Sequence, residues 1–283
     1  MGLRDILVHL DATDRGRTRL EIATALARRH DAHLAALCVV DVALPPGVLA
    51  TGYASGVALA RWTDDLREEE LAAAAQAKQV FDAHIQREGI SAEWRQVQGA
   101  MAETVGLHAR YADLAIIGQG DPESPDGAGW DLLAEEVLFT SGRPVLIVPY
   151  AGGFPTVGRN VLVGWNASRE AARAVNDALP LIAAADRTTV LAINPRRGLS
   201  GDGDVPAADI ALHLARHGVN ATAAHAVAEG IREGDVLLNH AADLGADLLV
   251  MGAYGHSRAR ELILGGATRS ILDHATIPVL MSR

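Results

Sequence analysis

Short apolar runs alternate with longer amphipathic stretches along this chain, and the whole series occurs twice. In the first half the runs predict strands near Ile6–Leu10, His33–Val40, Ala92–Gln98, Leu114–Gly118 and Val145–Val148. In the second they predict strands near Val161–Gly164, Thr189–Ile193, Ala223–Val227, Leu248–Gly252 and Val279–Met281. Between them the spacing is helical. Leu20, Ala23, Leu26 and Ala27 share one face, and Thr63–Gln86, with its EEELAAAAQAK run, is rich in strong helix formers. Thr13 and Ser168 stand where helix N-caps are expected, each just after a short strand that ends on Asp11 or Asn166. Strands alternating with helices predict parallel sheets covered on both faces, joined by right-handed crossovers. The fold class is therefore α/β, with two repeated, open, mostly parallel five-stranded sheets.

The repeat fixes the expected domain organisation. Counting back 134 positions aligns Pro278 with Pro144, Gly252 with Gly118 and Asp247 with Asp113 without a gap, and DILVHLD (Asp5–Asp11) corresponds to NVLVGWN (Asn160–Asn166). The segment AGGFPTVG, Ala151–Gly158, has the Gly and Pro content of a linker. Two domains, 1–150 and 151–283, are expected, with the last strands, PVLIVP and PVLMS, pairing so that the halves form an intrachain pseudo-dimer and protect open sheet edges. Val42–Ala60, after the second strand, is longer than an ordinary connection, and a lid or a contact surface are its two readings.

Composition narrows the class. The chain has 283 residues, 49% hydrophobic and 21% charged, as a globular protein does, and its net charge of -10 argues against general nucleic-acid binding. The first half holds 22 of the 35 acidic residues. No apolar stretch reads as a membrane span, and the start, MGLRDILVHLD, does not read as a secretory leader, so a cytoplasmic protein is expected. The single cysteine, Cys38, lies in the apolar run HLAALCVV and reads as a small core residue.

The candidate chemistry lies in DLLVMGAYGHSRARELILGGATRSILDHATIPVLMS, Asp247–Ser282. Glycines tolerate positive φ and let backbone N–H groups approach a phosphate, above all where a Gly-rich loop runs into a helix. Gly252, Gly255, Gly265 and Gly266 fit that use, Thr268 adds a hydroxyl, and His256, Ser257, Arg258 and Arg260 add donors or positive charge. The first half supplies an internal comparison. From Gly252 to Ser270 there are three Arg and one acid, whereas the aligned Gly118–Glu136 has six acids and no Lys or Arg, with Asp121 in place of Gly255 and Asp131 in place of Gly265. Open sheets bind ligands at the carboxyl ends of their strands, where strand order reverses, and that is where this loop falls.

The pattern Gly252-x2-Gly255-x9-Gly265, after a strand and before a helix leading to PVLMSR, resembles the ATP-binding signature of universal stress proteins, and the duplication resembles their tandem form. The resemblance implies a Rossmann-like, adenine nucleotide alpha hydrolase-like fold. It implies an adenine nucleotide, ATP with AMP or ADP as alternatives and Mg as a companion ion. Its contacts would be Asn166, Ile193, Met251, Gly252, Tyr254, Gly255, His256, Gly265, Gly266, Ala267 and Thr268. It also implies a regulatory or protective role in stress response rather than dedicated catalysis, with two chains able to associate further. The chain has Gly266 where Ser or Thr is usual, which moves the hydroxyl contact to Thr268, and Asn166 where an acid is usual, which replaces an ionised acceptor by an amide. One nucleotide per chain is expected, in the second half.

Other candidates carry less. His213 and His217, four apart, would share a helix face, and without a third ligand they read as solvent-facing. His225 reads as a packed strand residue, and Trp165 as a stacking surface for adenine or as a core or interface aromatic. No Gly-x-Ser-x-Gly elbow and no Gly-x4-Gly-Lys-Ser/Thr loop occurs, and the single lysine is Lys78. Two further functional readings share the fold: an interaction protein that binds no nucleotide, and a nucleotide-hydrolysing or adenylating enzyme.

Overall fold

Each apolar run becomes a strand and each amphipathic stretch a helix. The computed structural model describes residues 2–42, 56–121, 123, 127–195, 207–254 and 266–283. Within them the first half runs β1 (Asp5–His9), α1 (Asp14–His30), β2 (His33–Val40), α2 (Gly56–Glu88), β3 (Ala92–Gln98), α3 (Met101–Ala109), β4 (Leu114–Gly118), α4 (Gly127–Thr140) and β5 (Val145–Val148). The second runs β6 (Asn160–Trp165), α5 (Arg169–Ile182), β7 (Arg187–Ile193), α6 (Ala208–Arg216), β8 (Ala221–Ala226), α7 (Glu233–Asp243), β9 (Leu248–Gly252), α8 (Gly266–His274) and β10 (Val279–Ser282). The expected strands are all present, with ends shifted by one or two residues, and the helix expected over Thr63–Gln86 extends to Gly56–Glu88. Most of the Val42–Ala60 insertion lies outside the described residues.

The two five-stranded halves join in one ten-stranded sheet of order β3-β2-β1-β4-β5-β10-β9-β6-β7-β8. Every neighbouring pair is parallel except β5 with β10, which pair antiparallel with Leu146 opposite Leu280. The last strands therefore meet as expected. Because the side-chain period of a strand is two, this register sends Leu146 and Leu280 to one face and Val145, Ile147, Val279 and Met281 to the other. Two apolar layers result, each continuous through both halves. One includes α1, α5 and Phe81 of α2, and the other includes α3, α4, α7 and α8.

Local devices set the strand entrances and helix starts in matching ways. The Asp113 carboxylate accepts the N–H groups of Arg4 and Asp5 at 2.8 and 3.1 Å. Its counterpart Asp247 accepts those of Gly158, Arg159 and Asn160 at 3.1, 2.9 and 2.9 Å. Thr13 and Ser168 cap α1 and α5 by accepting the N–H of Gly16 and Ala171, both at 3.1 Å. In each half the chain turns back after its third strand to place the fourth beside the first. The crevices that result lie between β1 and β4 and between β6 and β9.

His225, expected to be packed, is exposed, because β8 is an outer strand of the sheet. Cys38 is buried, and burial pushes its thiol up to about 11. No described helix is long and apolar enough to cross a membrane.

Since both cores cross the β5–β10 junction, the halves should unfold together. Leu280→Ala is expected to lower stability by about 2–5 kcal/mol, the range for truncating a buried leucine. Circular dichroism and amide exchange in β1 and β6 should report the same lowered midpoint, and separate midpoints for the two strands would contradict a shared core.

Candidate functional site

At the carboxyl ends of β6, β7 and β9 lies a cleft of about 160 Å3, lined by Gly164, Trp165, Asn166, Leu191, Ile193, Glu233, Leu237, Met251, Gly252, Gly266, Ala267 and Thr268. Its floor exists because two glycines lack side chains. A Cβ on Gly252 would lie 2.4 Å from the Ala171 backbone nitrogen, so only glycine lets β9 end against the start of α5. A Cβ on Gly164 would meet the Leu237 methyl carbons at 3.2 and 3.3 Å, and any longer side chain there would enter the cleft wall. Another glycine acts from behind. A Cβ on Gly234 would lie 2.9 Å from the Ala267 carbonyl oxygen, so the close seating of α7 on α8 that places Ala267 and Thr268 also requires glycine.

The polar groups of the cleft are partly committed. Asn166 Oδ1 accepts the Ser168 N–H at 3.1 Å, the same task that the Asp11 carboxylate performs for the Thr13 N–H at 2.9 Å. An acid and an amide are therefore equivalent for building this turn, and in Asn166 the amide NH2 remains to donate. Thr268 is buried, and its Oγ1 accepts the Tyr254 N–H at 3.3 Å, which leaves the hydroxyl hydrogen free to donate. Glu233, in the first turn of α7, accepts a hydrogen bond from Asn194 Nδ2 at 3.2 Å. Asn194 in turn accepts the Ala228 N–H at 2.9 Å, so the Glu233 carboxylate is tethered to the ends of β7 and β8. At the start of α8 the first backbone N–H groups have no partner within the helix, and they add a partial positive charge to a wall otherwise apolar apart from these few groups.

Of the residues expected at a site, Asn166, Ile193, Met251, Gly252, Gly266, Ala267 and Thr268 line this cleft together. Gly255, His256 and Gly265 lie outside the described residues, as do Ser257, Arg258 and Arg260. Tyr254 is placed differently. It is buried, its backbone has φ +64°, and its ring lies 4.5 Å from that of Phe139 in the first half, so it does not line the cleft. Trp165 does, as one reading of it required. Gly164, Leu191, Glu233 and Leu237 were not singled out. Only Gly164 left a signal, since its aligned partner in the first half is His9.

The corresponding crevice of the first half is filled by its own side chains. His9 stands where Gly164 leaves room, and Arg19, on α1, stands where the second half has Ala174. The Arg19 guanidinium is buried, donates to the His9 carbonyl at 2.9 Å and to Asp11 Oδ2 at 2.6 Å, and lies 5.1 Å from the Trp130 ring centroid. His9 packs on the same indole at 5.4 Å. Arg15 pairs with Asp121 at the rim. These contacts set the charges. Burial, helped by the Arg19 charge, pushes the His9 imidazole down to about 4. Burial alone would raise the Asp11 carboxyl, but Arg19 and the Thr13 hydrogen bonds outweigh it and hold Asp11 at about 2.

His213, on α6, and His217, which caps its C-terminal end, lie side by side and exposed, with ring centroids 4.8 Å apart. Among the described residues no group of three His, Cys, Asp or Glu side chains is placed to hold a metal ion.

Residues 158–283 match the model of the Universal stress protein family. The second half is a universal stress protein domain. The first half repeats the same order of strands and helices, so the chain is two units of one fold in tandem. A universal stress protein from Archaeoglobus fulgidus superposes over 99% of this chain and 96% of its own, with TM-score 0.73 and 16% identity. A functionally unknown protein from Pseudomonas aeruginosa superposes over 99% and 92%, with TM-score 0.57 and 16% identity. At those identities the likeness is one of fold. A curated universal stress protein of Synechocystis sp. is 43% identical over 49 residues, a match that spans 17% of this chain and 17% of that protein.

The filled crevice of the first half gives the protein a definite pH response. Unfolded His9 binds a proton near 6.5, whereas the folded imidazole does so only near 4, so between those values unfolding takes up a proton. His9 therefore contributes a stability term that is lost as pH falls from about 6.5 to about 4, on the order of 3 kcal/mol. The Asp11 contribution is present above its ordinary value of 3.8 and is lost only as pH falls toward 2. Urea unfolding of His9→Leu at pH 7 and pH 4.5 should show a smaller loss than the parent. Equal losses would mean that His9 is protonated in the folded chain.

Proposed function

We propose that the protein binds one adenine nucleotide, ATP in preference to AMP or ADP, in the cleft of its second half and acts as a regulatory or protective factor in stress response in the cytoplasm. The division we propose is a nucleotide-binding domain over 151–283 and a domain over 1–150 whose crevice is closed to nucleotide. The observation that carries this reading is the contrast between the crevices: one open over Gly164 and Gly252, the other filled by His9, Arg19 and Trp130.

The cleft suits the parts of a nucleotide. Trp165, Leu191, Ile193, Leu237 and Met251 offer an apolar wall for a base. The Glu233 carboxylate can accept from ribose hydroxyls, and the Asn166 amide and Thr268 hydroxyl can donate to ribose or phosphate oxygens. The α8 N-terminus, with Gly266 leaving open space where a side chain would stand, offers backbone N–H groups and a favourable dipole to phosphates. Gly255, His256 and Gly265 complete the proposed contact set through the resemblance of the loop. We assign these residues binding roles and none a catalytic one.

Copying one residue between halves tests the reading. Mg-ATP at a hundredfold excess over its Kd should stabilise the parent by about 2.7 kcal/mol, read as a rise in Tm. Gly164→His, which introduces the first-half imidazole, should abolish that rise, and since its Cβ meets only the methyl ends of Leu237 closely, the nucleotide-free variant should keep the parent's circular dichroism spectrum. His9→Gly should retain the rise. No Tm shift and no bound mass in the parent would overturn nucleotide binding, and loss of the shift in His9→Gly alone would place the nucleotide in the other half.

A further inference from the structure

Tyr254 leaves the ligand wall but remains attached to it. The residue follows β9 by two positions and adopts φ +64°, a left-handed conformation that is strained for a side chain of this size and persists only where the surroundings hold it. Two contacts do so. Its backbone N–H donates to Oγ1 of Thr268, which lines the cleft, and its ring packs on Phe139 of α4 at 4.5 Å with the planes tilted by 47°. The Phe139 ring is itself held by the Arg283 guanidinium, 3.9 Å from its centroid.

Topology explains why a first-half residue reaches this point. Antiparallel pairing of β5 with β10 turns the halves head to tail, so the end of each half's last helix lies beside the other half's fourth-strand exit. On the pseudo-equivalent side, Gln119, which follows β4, donates its side-chain amide to the Leu272 carbonyl of α8 at 2.7 Å. That contact ends at a backbone carbonyl, whereas the Phe139 contact continues through Tyr254 to a cleft residue.

We propose that Phe139 of the first half is a positioning residue for the second half's cleft: it holds Tyr254 so that Thr268 and the start of α8 are set for ligand. Phe139 lies outside the cleft lining, so its effect travels through the Tyr254 ring and N–H. The affinity arm of the test rests on the nucleotide reading above, and the exchange arm does not.

The experiment uses the full chain, titrated with Mg-ATP, together with NMR exchange of the Tyr254 amide. Phe139→Ala should weaken ATP binding about threefold to tenfold, the span that one aromatic pair supports. It should also accelerate exchange at Tyr254, while amides in β1 and β6 exchange at parent rates. Phe139→Tyr should restore both, and Leu107→Ala, an exposed first-half substitution away from Tyr254, should alter neither. Tyr254→Ala should weaken binding, and adding Phe139→Ala to it should weaken binding no further. Unchanged affinity and unchanged Tyr254 exchange in Phe139→Ala, or additive losses in the double variant, would overturn the proposal. If the parent binds no ATP the nucleotide reading falls, and the Tyr254 amide alone then decides: faster exchange in Phe139→Ala upholds positioning, and an unchanged rate refutes it.

Discussion

The antiparallel pairing of β5 with β10 is the contact on which the rest of the molecule depends. Three residues from each half pair there, and the register that sets Leu146 against Leu280 makes two five-stranded sheets into one and carries both apolar layers across the join. Strand ends that would template association in an isolated half are thereby internal, and the outer strands β3 and β8 are the least buried of the sheet. The same pairing reverses one half relative to the other. Their crevices consequently open at opposite edges of the sheet, each neighboured by the far half's last helix.

Within this shared frame the halves make opposite use of the space between the first and fourth strands. The second half leaves it open, through the missing side chain of Gly164 and through close backbone approaches that Gly234 and Gly252 permit. The first half turns it into core. A buried guanidinium is unfavourable unless its donors are satisfied, and Arg19 meets that requirement with a carbonyl, a carboxylate and an indole face. Asp11 serves both arrangements, since its carboxylate builds the turn before α1 and also neutralises Arg19.

Much of this was legible in the sequence, for reasons that differ by element. Strand and helix identities follow from local periodicity, the pairing of the last strands from the repeat, and the capping Thr13 and Ser168 from their places after short strands. The glycines could be read because their spacing is local to one loop. Arg19 could not, since an arginine on an amphipathic helix ordinarily points to solvent and its burial depends on Trp130, more than a hundred residues away. The placement of the Tyr254 ring could not be read for the same reason: adjacency to Gly252 and Gly255 suggests a ligand contact, and only the reversed placement of α4 supplies Phe139 to hold the ring. Gly164 was visible as the counterpart of His9, but its meaning needed the crevice around it.

Joining the two halves in one polypeptide also alters what substitution can do. In a symmetric pair of identical chains every change appears twice, so an arginine that fills one crevice fills its mate as well, and the assembly loses both sites in a single step. Here the two-fold relation survives in the backbone while the genetic constraint that would enforce it on the side chains is gone. Arg19 is the record of that freedom. One crevice could be spent on cohesion while the other kept its opening, and the stoichiometry of the assembly became a property written into a single gene.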